Sequence, residues 1–488
     1  MNTLMKSLLV TAMALSAAHV SAHTNKTYLA PRPVGQNLAM ETVAFNEMVG
    51  NKDEGRFGGN LQVTGFYSQS TDKHDNGQYF GIKNKNSFTA QTETDANKTA
   101  FPADLDASLL VHDSAAANFT DLNTITLNPS QTMFGARFDY HQDLAKLVDG
   151  LYFRVKLPVV NIKNNMGLAV ANGTSPADAT SINNFLTGNF TALAIANANA
   201  ELALTNAQMD GDNSKTTLAD LEVILGYAFL DKECYKAAIN LGLVVPTGNK
   251  AEGIHAFEPV SGNGGHWALG GGLDFVARVW GDEHQNIKFN AALDYRYAFE
   301  AAEKRTLGIV NSNAGQYVSL LPVVTVGTTA KNAAQVIPAA NKLTMNVDVT
   351  PGSNIDMIAG FSYNHGGLSI DLGYNLNYKE AESVSRKDSV GTSYSLLTSG
   401  TANLSLSSGA GHLWTQSDLV VAFTDALIDA GVAATPSALT NKVYGQVGYI
   451  FKDMEFPVML AAGGHYEFAN ENSAIENWGV NLKAGISF

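Results

Sequence analysis

Charged side chains in this chain recur one residue apart, set between apolar ones. Arg137 and Asp139 alternate with Ala136, Phe138 and Tyr140, and Arg154 and Lys156 alternate with Phe153, Val155 and Leu157. The same spacing holds Glu222, Lys236, Asp274, Arg278, Lys288, Asp294, Arg296, Asp371, Lys379, Glu467 and Lys483. Charges placed this way do electrostatic rather than covalent chemistry. Lining one surface, they concentrate counter-ions and sort solutes by sign. Bases exceed acids among them, so the wall they form is mildly basic although the whole chain carries a net charge of −14. The competing role is interior pairing, with Asp294–Arg278 and Asp139–Arg154 as cross-strand partners.

Catalytic and metal-binding patterns are thin. His112, Asp113 and Ser114 put a His and a Ser two apart, in a segment that reads as a long loop. Asp210, Asp212 and Ser214 open like a calcium loop, but Lys215 stands where that loop needs Gly. The glycines over 262–265 and 270–272 lead into no strand-to-helix turn and so form no phosphate cradle. The histidines show no ligand spacing. No metal or cofactor is expected, and no enzyme activity. Cys234 is the only cysteine, so no internal disulfide forms; beside a tight turn it reads as a buried or bystander thiol.

Period-two alternation means a strand with one apolar and one polar face. Twelve segments show it: 61–67, 132–141, 151–159, 221–229, 235–245, 267–279, 287–299, 355–363, 368–378, 443–451, 458–468 and 478–488. Several reach the length of about ten residues that a tilted strand needs to cross a bilayer. Short polar links such as 231–233 and 452–455 join every second pair, and the remaining connections are mostly long. Segregated loop lengths put all tight turns at one end of a barrel. Aromatics gather at both strand ends, as Tyr227, Phe229, Tyr449 and Phe451 at the short-turn end and Tyr297, Phe299, Tyr466 and Phe468 at the other. Such rings suit the two membrane interfaces. Outward faces carry almost no charge, which fits a cost of roughly 2–4 kcal/mol for a midplane Arg or Lys facing lipid.

The predicted fold is therefore all-β: a closed antiparallel transmembrane β-barrel, twelve strands favoured and fourteen the alternative. The alternative arises because 341–349 also alternates. It either extends the eighth strand above the membrane or pairs with 316–326. Long loops are expected to hold some helix, within 179–209 and over 417–431. Residues 1–22 read as a secretory signal peptide, with a basic start, a short apolar run and Val20-Ser21-Ala22 before the cut. Residues 23–59 form either a periplasmic tail or a plug, and 60–488 the barrel.

The last strand, with Trp478, Ile486 and the final Phe488, resembles the C-terminal strand of bacterial outer-membrane β-barrels. That resemblance implies a terminal aromatic read by the barrel-assembly machinery. Val245-Pro246-Thr247-Gly248-Asn249 resembles strand ends in porin-like transporters of hydrophobic and aromatic compounds. A twelve-stranded outer-membrane phospholipase family is the third comparison, but the His112 and Ser114 context does not match it. The expected function is passage of small solutes through the lumen of an exported outer-membrane protein surrounded by lipid. The alternatives are a structural or surface-interaction barrel with an occluded lumen, and a membrane-embedded hydrolase. Net acidity argues against nucleic acid as a partner.

Overall fold

The computed structural model describes residues 25–30, 32–49, 58–92, 102–110, 121–172, 174–190, 202–310, 312, 315–326, 329–332, 336–397 and 420–488. Twelve strands close into one antiparallel barrel. They are β1 (Gly59–Ser70), β2 (Ser130–Asp143), β3 (Leu151–Asn165), β4 (Leu221–Asp231), β5 (Tyr235–Val245), β6 (Ala268–Gly281), β7 (Gln285–Ala298), β8 (Gly352–His365), β9 (Leu368–Lys379), β10 (Ala438–Phe451), β11 (Val458–Ala469) and β12 (Asn477–Ser487). Each pairs with the next in sequence, and β12 returns to β1. Closure leaves no strand edge unpaired, which an apolar surrounding requires.

The closing seam runs in continuous register from Asn60↔Ser487 to Ser70↔Asn477. Gly59 and Phe488 exchange both backbone hydrogen bonds, at 2.8 and 2.9 Å. The Phe488 ring stacks on Tyr140 at 6.4 Å. By alternation β1 is the weakest strand of the set, and its Phe66 falls on the lumen face. The structure gives that ring a reason: it is buried with Val34 and Met40 of the N-terminal segment. Gly135 faces the same ring, and a Cβ there would lie 2.1 Å from the Val159 carbonyl and 3.0 Å from the Phe66 ring. Deleting Phe488 removes the seam's last bonds and its stacked ring. The folded, heat-modifiable fraction in the membrane should fall several-fold on gel electrophoresis; unimpaired insertion would count against this seam.

Outward residues form an apolar band. Leu225, Leu241, Leu273, Leu372, Leu460 and Leu482 are all exposed. The aromatic rings at the strand ends are exposed as well, with neighbours in contact: Tyr449–Phe451 at 5.0 Å and Tyr297–Phe299 at 5.7 Å. Among the described residues no helix is long and apolar enough to cross a membrane. On β6 a register shift after Arg278 leaves Val279 and Trp280 both exposed, where strict alternation predicted only Val279 outward. A bulge adds one residue and re-aims the side chains beyond it.

The long connections are not free coil. They build a cap with a buried core of its own, which includes Phe80, Ile125, Phe185, Phe257, Leu343 and Phe423. Strand Thr344–Thr350 pairs with Ala301–Thr306 and Ser383–Arg386 and so continues β8 upward. Strand Ser319–Val326 pairs elsewhere, so the fourteen-strand alternative does not form. A helix does form at Pro176–Leu186. The helix expected over 417–431 does not: the described part holds a strand at Val420–Ala422 and single turns at Asp425–Leu427 and Gly431–Ala433. Its apolar spacing is used instead to set Phe423 into the cap core. A tertiary partner of this size overrides local helical preference.

Candidate functional site

The lumen is occupied by the N-terminal segment of the same chain. Residues 25–29 lie in the cap, where Asn25, Lys26 and Thr27 donate backbone hydrogen bonds to Gly81, Tyr79 and Val432. The segment then descends inside the barrel to helix α1 (Phe45–Val49) at the short-turn end. There the Ser487 hydroxyl donates to the Met48 carbonyl at 2.8 Å. Met48 and Val43 pack on Ile450 and Met459.

The wall grips this segment with charge at several heights. Arg32 bonds Asp356 at 2.9 Å and Glu467 at 2.7 Å, and Glu467 also pairs with Lys442 at 3.1 Å. Lower down, Glu41 meets Arg137 at 3.0 Å and Lys156 at 2.7 Å, while Lys483 donates to the Glu41 carbonyl at 3.0 Å. At the bottom Glu47 is shared by Lys288 and Lys452. Continuous with the Glu41 cluster through Lys156, a second knot joins three strands. Lys156 reaches Glu222 at 3.4 Å, Glu222 holds Arg296 at 2.5 Å, and Arg296 holds Asp294 at 3.0 Å. Lys156, Glu222, Asp294 and Arg296 are all buried.

The remaining expected lumen residues also face inward, at differing depth. Arg154 lies 3.8 Å from Asp274 and packs on the rings of Phe45 and Tyr152. Asp371 is buried beside Ser369. Lys379 leaves the wall to meet Glu382 at 3.3 Å. Lys236 and Arg278 sit at the short-turn rim, paired with Asp231 and Glu233. Trp478, Ile486 and Phe488 are exposed on the outer face.

Both expected cross-strand pairs are replaced. Asp139 bonds Arg137 on its own strand at 2.9 Å, and Arg154 turns to Asp274. Register separates Asp294 from Arg278, because Arg278 stands opposite Lys288 while Asp294 stands opposite Gly272 and Asp356. Sequence reading passed over Lys442 and Asp356. Asp356 sits between Ile355 and Met357, so alternation already marked it as inward. Lys442 fell one residue before the strand start that the apolar run suggested. Arg32, Glu41 and Glu47 carried no signal, since their segment has no periodicity. His112–Ser114 lies outside the described residues.

Two cavities remain beside the inner segment at the short-turn end. One, of about 300 Å³, is bordered by Glu47, Cys234, Lys236, Arg278, Lys288 and Lys452. The other, of about 220 Å³, is bordered by His141, Arg154, Lys236 and Asp274. Both touch the segment itself: the first runs from Glu47 to Ile450 and Ser487, and the second from Phe45 to His141 and Tyr152.

The top of the segment is pinned by a buried cluster above the barrel. Arg305 lies over the Tyr28 ring at 3.1 Å and pairs with Glu303 at 2.8 Å and Glu382 at 3.4 Å. His266 closes on Glu303 at 2.5 Å. Burial opposes ionisation of Glu382, but Lys379, Arg305 and the Thr435 N–H outweigh it and hold the carboxyl down at about 2. A depressed carboxylate adds stability that is fully present above its ordinary value and is lost as pH falls through the folded one. Cap protection in hydrogen exchange should therefore persist at pH 5 and decline between about 4.5 and 2. In E382Q that decline should flatten. At neutral pH the cap should open more readily, by roughly 3 kcal/mol for a broken buried pair.

No protein-family model matches the chain, and no curated protein matches it significantly. Solved structures are similar in outline. An outer membrane channel from Pseudomonas putida F1 shares 12% identity at a TM-score of 0.39, over 90% of this chain and 100% of that one. The Pseudomonas putida toluene transporter TodX shares 10% at 0.34, over 96% and 98%. The Ralstonia pickettii toluene transporter TbuX shares 12% at 0.32, over 96% and 95%. These likenesses are loose, and the fold rests on the strand order itself. Closed pairing, an apolar outer band and a charged interior define a twelve-stranded transmembrane β-barrel of the outer-membrane type.

Proposed function

We propose that this chain passes small solutes across the outer membrane through its lumen, without catalysis, and that residues 25–49 serve as a movable plug. The observation that carries the reading is how the segment is held. Its grip on the wall is ionic at each height, through Arg32, Glu41 and Glu47, with small apolar contacts between. Buried ion pairs roughly break even against well-packed apolar side chains. A barrel that needed only a sealed core would gain nothing from so much charge, whereas a releasable segment needs a wall that tolerates water. Open cavities beside the segment support the same reading.

The second reading is a structural or surface-interaction barrel with a sealed lumen. It is favoured by the Lys156–Glu222–Arg296 knot, which ties β3, β4 and β7 together inside the barrel, and by the cap's own core. Export by cleavage after Ala22, surrounding outer-membrane lipid and insertion by the barrel-assembly machinery belong to either proposal. Planar-bilayer recording of the full chain, beside a variant lacking residues 23–49, separates them. Discrete conductance steps support passage. Silence from both folded proteins sinks it.

A further inference from the structure

We propose that the cavity of about 300 Å³ at the short-turn mouth is a binding site for small carboxylate solutes, and that Glu47 now occupies it as an internal stand-in. The chain is acidic overall, at −14, yet this cavity collects cations from separate parts of the wall. Lys236 comes from β5, Arg278 from β6, Lys288 from β7 and Lys452 from the turn after β10. Among the described residues, the carboxylates on the lining are those of Glu47 and Glu233, with Asp231 beside Lys236. Converging positive charge in a low-dielectric recess raises the local concentration of anions.

The Glu47 carboxylate shows what fits. It sits between two ammonium groups, bonded to Lys288 and 3.4 Å from Lys452. It arrives on α1, a five-residue helix, and not on a barrel strand. A solute carboxylate that takes its place leaves both lysines paired and frees the foot of the N-terminal segment. A dicarboxylate can also reach Arg278 or Lys236 across the cavity. In its role as an entry site this rests on the channel reading, but binding itself does not require conductance.

The chain supplies its own reporter. Cys234 is its only cysteine, borders this cavity, and lies 3.3 Å from Arg278 Nη2. Purified full-length protein is treated with thiosulfonate reagents bearing either a sulfonate or a trimethylammonium group. The thiolate forms a mixed disulfide and releases the sulfinate. Relative to a free thiol, the anionic reagent should be favoured by roughly tenfold or more. Succinate should slow the reaction saturably. E47Q should lower the succinate concentration needed several-fold, and the K288Q/K452Q pair should abolish protection while Cys234 stays reactive.

Equal rates for the two reagents would overturn the proposal. So would unchanged succinate protection in E47Q, or inorganic phosphate protecting as well as succinate does. Bilayer recordings on the same preparation keep the two readings apart. Protection without conductance sinks the channel alone, and conductance without protection sinks this site alone.

Discussion

A variant lacking residues 23–49 should conduct at least several-fold better than the full chain in planar bilayers. The segment is the one body that fills the lumen between the cap and the short-turn rim among the described residues. Removing it uncovers Arg137, Lys156, Lys442 and Lys483, all now buried. It also removes Glu41 and Glu47, which neutralise the lower wall. The reversal potential in a salt gradient should therefore move toward that of chloride, because the bared lower wall is basic. Arg32 leaves with the deletion, which bares Asp356 and Glu467 higher up. The selectivity change should thus be strongest for blockers added from the short-turn side. An unchanged conductance would mean that the lumen is sealed without the segment, by the wall's own ion pairs and the cap.

Arg137→Ala should be the most damaging single substitution in the wall. The guanidinium is fully buried and joins three groups at once. It pairs with Glu41 and Asp139 and donates to the Asn37 carbonyl at 3.1 Å. Truncation leaves Asp139 without its guanidinium and Glu41 with Lys156 as its remaining ion-pair partner, a loss of roughly 3 kcal/mol by the behaviour of broken buried pairs. Urea unfolding in lipid vesicles would read it directly. R137M combined with E41Q and D139N should recover most of the loss, since replacing all partners of a buried ionic group with neutral ones is close to neutral. If R137A costs less than about 1 kcal/mol, the usual worth of an exposed pair, the lumen is wetter than its packing indicates. The same substitution should also loosen the segment, since Glu41 then keeps only Lys156 and the backbone contact to Lys483.

The two experiments probe different links. Deletion asks whether the segment blocks the path. Arg137 asks whether its ionic grip sets how tightly it blocks. A channel whose plug is released by solute needs both answers to be positive, and the carboxylate site at Glu47 supplies a chemical trigger at the same end.

Much of the barrel was legible because alternation is a local signal. Leu241, Leu273 and Leu482 are exposed, and Arg137, Lys156 and Glu467 buried, as period two alone requires. Loop lengths gave the order of strands, because antiparallel neighbours with tight turns leave little choice of partner. The twelve-to-fourteen ambiguity was real at that level: 341–349 alternates, but alternation does not name a partner. Thr344–Thr350 found Ala301–Thr306 and so rose above the membrane.

Which charge meets which was decided only in three dimensions. Arg32 and Glu467 stand 435 residues apart, and no local pattern links them. Register puts Asp139 opposite Lys156 and Asp294 opposite Gly272 and Asp356, so the pairs expected from face alone, Asp294–Arg278 and Asp139–Arg154, gave way to Asp294–Arg296 and Arg154–Asp274. The inner segment lacks periodicity because it is neither strand nor long helix. Its place is set by complementarity with a wall assembled from every part of the chain. Periodicity in the sequence therefore determined the wall, its two faces and its connections. What fills the wall, and what caps it, depended on contacts between segments far apart in sequence, whose free energy appears only after the barrel has closed.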